Sequence, residues 1–349
     1  MVVGLSLAIF CYNLNLPLTL RSAFYPILGE RVWGWWGHVI DTLAVFATLF
    51  GLTTSLGLGA QQIAAGMNDV FGFEVTNALT VWLIIGITVI ALGSVLLGMD
   101  AGVKRLSEIN MIMAVVLFIF VLLVGPTLAL LGRFGNVLVD YVVNFVPLSN
   151  PHGREDLGYM HGWTTFYWAW WIAWSPFVGM FIARISKGRT VREFIFCVLI
   201  APSLVCGLWM TVFGGMALEQ MADGYNGVKE VVAAYKPELS LFHMLDQLPL
   251  YSILAPISLL LIVIFFVTSS DSGSLVIDTI TAGGKMDAPV AQRVFWCTLE
   301  GLVAIALLLG GGLSALQGAA VSTGIPFTIV LLLMCYCLYR ALGSERKKI

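Results

Sequence analysis

The chain has 349 residues, of which 59% are hydrophobic and 11% charged, and its mean hydropathy is +0.93. Soluble domains carry roughly 25% charged residues, so the composition excludes an ordinary water-soluble fold and makes lipid the main solvent. The formal net charge of −2 gives no electrostatic case for binding nucleic acid.

The first element, Met1 to Tyr12, is apolar but too short to span, because a bilayer core of about 30 Å takes about 20 helical residues. It has neither the basic n-region nor the small-residue cleavage site of a signal peptide, and reads as the last half of a helix whose start is missing. The connector 12–37 carries Pro17, Pro26 and three tryptophans. Apolar runs then recur near 38–64, 77–99, 110–131, 163–183, 193–217, 250–270, 293–313 and 321–341, each long enough to cross. Between the third and fourth, RFGNVLVDYVVNF has helical spacing and suits a helix lying along the outer surface. The segment 218–249 is polar and acidic, and no loop is large enough for a soluble domain.

Basic residues fall on one side of this topology. Of the 18 Lys and Arg, only Arg133, Arg154, Lys229 and Lys236 lie in one set of alternate loops; the other fourteen lie in the opposite set or at the C-terminus. By the positive-inside rule the larger set is cytoplasmic, which places the C-terminus inside. The basic loop ARISKGRTVREF belongs to it, and orienting the chain is a sufficient role for its charges. Six cysteines lie in or beside apolar helices; Cys335 and Cys337, two apart, point to different sides, and ordinary buried cysteines are expected.

Five of the eleven tryptophans fall between Trp163 and Trp174. At about 100° per residue, Trp163, Tyr167, Trp170, Trp171, Trp174 and Phe177 share a stripe about 120° wide, while Trp168 lies outside it. An aromatic belt at the headgroups accounts for Trp163 but not for Trp174, about 16 Å deeper at 1.5 Å per residue. Stacked indole faces attract a quaternary ammonium by cation–π contact, worth roughly 2 kcal/mol or more when desolvated. Pro176 is expected to interrupt the helix, leaving the Ile172 carbonyl in search of a donor.

A second feature is an internal echo. FGLTTS at 50–55 and FFVTSS at 265–270 align Thr53 with Thr268, Thr54 with Ser269 and Ser55 with Ser270, in helices of opposite direction. Similar segments in opposite orientation are a mark of inverted-repeat transporters; the competing explanation is the ordinary use of Ser and Thr at helix contacts.

WTTFYWAWWIAWSPFVGMFIARISKGRTVREF closely resembles the signature of the betaine/choline/carnitine transporter family, and SLGLGAQQI and FFVTSSDSGS extend the likeness along the chain. The resemblance implies an all-α polytopic membrane protein with the LeuT-type inverted-repeat fold and an incomplete first repeat. The chain would be a single transporter domain, 1–349. Residues 1–12 would end a truncated helix, 38–131 would complete the first repeat, and 161–343 would form the second. The family's glycine-rich third helix and the aromatics of its fourth would then be absent, and the function would belong to the longer protein; the chain alone would be inert.

The resemblance further implies a substrate box of Trp170, Trp171 and Trp174 for glycine betaine, choline or a related trimethylammonium solute. Sodium would be the coupling ion and no cofactor would be required. The Thr268 and Ser269 hydroxyls with the Phe265 carbonyl match the family's main sodium site. A second ion site is matched by Thr48 and Phe177, but its other threonine is Leu52 here. Sodium-independent exchangers carry Met where this chain has Val178, which favours ion coupling. A homotrimer in the plasma membrane is also implied.

Proton coupling is the competing reading, and Glu300, well inside its apolar run, is the acid that could serve it; Asp271 and Asp278 are expected to be solvated or paired. A quaternary-amine receptor would require an output domain that no loop could house. His38, His152, His161 and His243 lie at loops or helix ends without a matching Cys or Asp, so no catalytic constellation is present.

Overall fold

The computed structural model describes residues 1–97, 104–285 and 288–346. The end of the expected 77–99 span, and Lys347 and Lys348 of the basic count, lie outside the described residues.

Every regular element among the described residues is helical. Helix α1, Val2–Asn13, is short and apolar, and Leu7 and Phe10 on it are wholly buried. Helix α2 is Trp35–Phe71, α3 is Asn77–Leu97, α4 is Lys104–Val124 and α5 is Thr127–Ser149. Helix α6, Phe166–Ile185, follows a wide turn at Met160–Thr165. Helix α7 runs Val191–Ala222 and α8 runs Tyr251–Thr281. The last stretch, Val290–Arg346, is divided by Gly312, whose φ of 58° and ψ of −137° turn the chain between α9 (290–311) and α10 (313–346).

Seven described helices are long and apolar enough to cross a membrane, α9 and α10 being counted together and α6 left out. Four indoles and a tyrosine hold down the hydropathy of α6, which at 20 residues is nearly as long as α3 at 21. With α6 added and the last stretch divided, each expected run meets a helix. Helix α8 continues to Thr281 and α2 to Phe71, beyond the expected ends at 270 and 64, and one run is divided. The run 110–131 covers the end of α4 and the start of α5, because Gly125-Pro126 breaks the helix inside it. Thr127 Oγ1 donates to the Leu122 carbonyl at 2.7 Å, satisfying one of the acceptors that the break frees. RFGNVLVDYVVNF is helical as expected, and Arg133 ties α5 to α7 through Glu219 and the Gly215 carbonyl.

Two polar devices hold helix ends in the loops that carry most of the basic residues. Arg21 Nε pairs with Asp41 Oδ2 at 2.5 Å, and the Arg21 amide donates to Asp41 Oδ1 at 3.0 Å, so the connector is fastened to the first turns of α2. Thr190 and Glu193 form a reciprocal capping box at the start of α7. The TVRE spacing in the basic loop carries that second signal.

Helices α2 and α8 meet in a close seam. Leu52 fills the space beside Gly273, the Phe266 ring lies on Gly59, and Leu259 and the Phe242 ring lie on Gly66. Each seven-residue step along α2 is matched by seven residues back along α8, so the two helices are antiparallel at a coiled-coil-like spacing. Small residues are what allow such approach where lipid provides no hydrophobic drive. The cysteines divide differently from expectation: Cys11, Cys297 and Cys337 are buried, whereas Cys197 and Cys206 are exposed on α7.

The seam yields a stability prediction. Gly59→Ala puts a methyl group into the Phe266 ring and is expected to cost about 1–3 kcal/mol, read as a lower thermal midpoint in detergent. Gly86→Ala, on the open face of α3, is expected to leave the midpoint unchanged or raise it. Equal midpoints for the two variants would contradict the seam.

Candidate functional site

Helix α6 lies against α2 and α10. Its aromatic stripe meets α2 at two residues one turn apart, Gly51 and Ser55. The Trp170 Nε1–H points to the Gly51 carbonyl at 3.1 Å and the Ser55 hydroxyl at 3.2 Å. The Trp174 Nε1–H, one turn further on, points to the same two oxygens at 3.0 and 3.1 Å. The Ser55 hydroxyl donates its own proton to the Gly51 carbonyl at 3.0 Å. Two indoles are thus anchored by their edges on one carbonyl–hydroxyl pair. Only glycine fits at 51, where a Cβ would come within 2.9 Å of Trp174 Cδ1.

The ring faces remain. Tyr167, Trp170, Trp171 and Trp174 of α6, Ser55 of α2, and Phe265 and Phe266 of α8 line a cavity of about 190 Å³. This is below the roughly 300–1,000 Å³ of pockets for drug-sized ligands and is scaled to a small solute. Trp170 stacks on Phe166 at 5.2 Å and meets Tyr167 edge-on at 5.5 Å. Phe265 and Phe266 meet edge-to-face at 5.3 Å. Trp171 is 66% exposed, so its ring stands at the open side of the cavity. Of the expected stripe, Trp163 and Phe177 do not line the cavity, and Trp168, expected outside, is outside. Among the described residues the lining carries no charged side chain, and aromatic rings make up most of it.

Pro176 does not interrupt α6, which continues to Ile185. The Ser175 hydroxyl donates to the Ile172 carbonyl at 2.7 Å and supplies the bond that Pro176 cannot.

The expected ion ligands lie on the same helix as the cavity's far wall. Thr268 Oγ1 donates to the Phe265 carbonyl and the Ile264 carbonyl, each at 3.0 Å, and Ser269 follows half-buried. Phe265 therefore faces two ways: its ring lines the cavity and its carbonyl meets Thr268. The echo is kept in bonding as well as letters, since Thr53 Oγ1 donates to the Phe50 carbonyl at 3.1 Å as Thr268 does to Phe265.

At the second expected ion position, Thr48 is fully buried and its hydroxyl has no hydrogen-bond partner among the described residues. Phe177 is buried on α6 with its ring 5.4 Å from Trp174. Leu52 is packed against Gly273 and offers no oxygen there. Asp278 is paired as expected, with Arg293 at 3.0 Å, but Asp271 is 4% exposed and so is not solvated.

Ser55, Gly51 and Phe266 are the lining and anchoring residues that the sequence reading missed. Gly51 and Ser55 lie in FGLTTS and Phe266 in FFVTSS, the two segments of the echo. The anchor is testable. Ser55→Ala leaves one carbonyl for two indole N–H groups, an expected loss of about 1–3 kcal/mol, whereas Ser55→Thr keeps the oxygen. Acrylamide quenching of tryptophan fluorescence is expected to rise in the Ala variant and stay near wild type in the Thr variant. Unchanged quenching in both would remove the anchor from the account.

The chain matches the model of "BCCT, betaine/carnitine/choline family transporter" over residues 1–347. It is 60% identical to a glycine betaine/proline/choline transporter of Vibrio parahaemolyticus, over 99% of this chain and 62% of that protein. A glycine betaine/proline/choline/ectoine transporter of the same organism is 55% identical over 99% of this chain and 61% of its own length. A glycine betaine transporter of Acinetobacter baylyi is 43% identical, over 99% and 53%. The chain thus spans between 53% and 62% of the length of these relatives. A match over nearly every residue, on an all-helical polytopic scaffold with an indole-lined cavity, leads to one conclusion: the chain belongs to the betaine/carnitine/choline transporter family.

Proposed function

We propose that the protein to which this chain belongs is a secondary transporter. It imports a trimethylammonium solute, glycine betaine or choline, into the cell, driven by sodium. The observation that carries this reading is the cavity whose walls are the faces of Trp170, Trp171 and Trp174. A permanent cation carries no proton to lose and makes no strong hydrogen bonds, so a wall of π-density is a fitting counterpart. Because the described residues of the box include no carboxylate, it binds the cation without trapping it. The relatives named for betaine and choline transport support the same substrate class.

In this reading the indole N–H tethers fix the ring planes before substrate arrives, so little ordering entropy is lost on binding. Sodium is held by the Thr268 and Ser269 hydroxyls and the Phe265 carbonyl, hard oxygens suited to a small hard cation. Turning the Thr268 hydroxyl from the Phe265 carbonyl to the ion would alter the hold on a residue whose ring lines the substrate cavity. Ion and substrate thereby act on one residue, which is a physical basis for coupling. Thr48, with its buried hydroxyl unpartnered, and Phe177 stand as a second ion position. The inverted LeuT-type repeat is supported by the antiparallel α2–α8 seam and the matched threonine bonds. The cytoplasmic C-terminus and the homotrimer in the plasma membrane belong to the same proposal.

Uptake of labelled betaine and choline by a host lacking its own carriers tests the reading. Trp171→Leu is expected to abolish saturable uptake at unchanged surface abundance. Thr268→Ala is expected to raise the sodium concentration for half-maximal uptake at least tenfold. Normal uptake by the Trp171 variant would sink the box, and an unchanged sodium dependence in the Thr268 variant would sink the ion site.

A further inference from the structure

Helix α9 carries an acid in its middle. Glu300 lies seven residues from Arg293, about 10 Å along the helix, and is 1% exposed. Its Oε2 accepts a hydrogen bond from the Ser274 hydroxyl of α8 at 3.3 Å. Ser270, one turn earlier on α8, also faces the carboxyl. The Ser270 hydroxyl is 2% exposed and makes no hydrogen bond of normal geometry. Helix α3 closes the third side, with Thr88 Oγ1 at 2.5 Å from where a Cβ on Gly301 would lie.

The charged and titratable groups around this carboxyl are few. Asp271 of α8 and Cys297 of α9 lie within electrostatic reach of it. Arg293 acts on Asp271 and is ion-paired with Asp278. The described length of α3 contributes no charged residue, only hydroxyls such as Thr88 and Ser94, the latter beside Asp271. On α2, Asp41 is paired with Arg21 and Asp69 accepts from Tyr251. On α10, Arg340 donates to the Pro26 carbonyl. Glu300 therefore has an acid beside it and hydroxyls around it.

A carboxylate so placed is very costly, and the usual resolution is neutralisation. A carboxylic acid has one O–H to donate and oxygens to accept with. Ser274 supplies the donor. The orphaned Ser270 oxygen is the acceptor that the acid's O–H requires, and an ionised Glu300 would have no use for it in that role.

We propose that Glu300 is a proton-binding site, in which its carboxyl accepts from Ser274 and donates to Ser270. It is separate from the sodium ligands proposed above and is a property of the folded chain whether or not it transports. Ser270 immediately follows Thr268 and Ser269 on α8, so an ion at those residues and a proton on Glu300 act on the same turn of helix.

Infrared spectroscopy of the purified protein in lipid is the test. At neutral pH a protonated-carboxyl carbonyl band is expected in the wild type, absent in Glu300→Gln and retained in Asp271→Asn. Ser270→Ala, which removes the acceptor, is expected to shift the band to higher frequency; this decides the matter should the Gln variant fail to fold. A band that survives Glu300→Gln, or that disappears in Asp271→Asn instead, would overturn the assignment. Uptake provides the second measurement: wild-type uptake is expected to fall about tenfold per pH unit once the acid ionises, and Glu300→Gln to flatten that alkaline limb. Identical alkaline profiles would also count against the site. If no form of the protein transports, the transport proposal fails while the infrared result still decides the proton.

Discussion

Two indole N–H groups converging on one carbonyl–hydroxyl pair determine the arrangement of the rest. In lipid an unsatisfied N–H is expensive, so four indoles on one membrane helix pose a problem before they serve any purpose. Gly51 and Ser55 solve it for Trp170 and Trp174 together, since residues one turn apart on α6 meet residues one turn apart on α2. The solution requires α2 and α6 to approach closely, and Gly51 permits that approach. With edges spent on hydrogen bonds, the ring faces are held at fixed angles toward the cavity. The same economy appears at Pro176, where Ser175 satisfies the carbonyl that proline orphans and α6 keeps its line.

The far wall has a different logic. Helix α8 is fixed against α2 by glycines at seven-residue spacing, leaving little freedom to rotate at Gly59 or Gly66 without moving Phe266 or Leu259. Phe265 and Phe266 are therefore presented to the cavity by the seam itself, and the carbonyl of Phe265 is presented to Thr268. Wall and seam are one structure, and a displacement along the seam would change both the cavity and the hydroxyl cluster.

The parts legible in the sequence were those carried by composition and period. Apolar runs located the helices, and the 100° stripe selected Tyr167, Trp170, Trp171 and Trp174 as residues sharing one face. Hydropathy could not locate the break at Gly125-Pro126, because the apolar run crosses it without a change in polarity. Pro176 was overread, since its effect depends on whether a neighbouring hydroxyl reaches Ile172, a matter of rotamer rather than of pattern. Ser55 and Asp271 depended on tertiary neighbours. A serine in a Thr/Ser-rich apolar helix is ordinary until two indoles from 115 and 119 residues away arrive on it.

The paired serines of the echo extend that point. Ser55 and Ser270 occupy equivalent positions in FGLTTS and FFVTSS, on antiparallel helices, and each turns its hydroxyl to a group on a third helix. Ser55 accepts from the indoles of α6; Ser270 faces the carboxyl of α9. If the two segments descend from one ancestral helix, the same small hydroxyl has been kept where a buried polar neighbour must be satisfied, and the neighbour has diverged. One copy then anchors an aromatic wall, while the other stands beside a buried acid. That division follows from burial: in a lipid-surrounded protein, the side chains that can carry function are those whose polar atoms a second helix has agreed to meet.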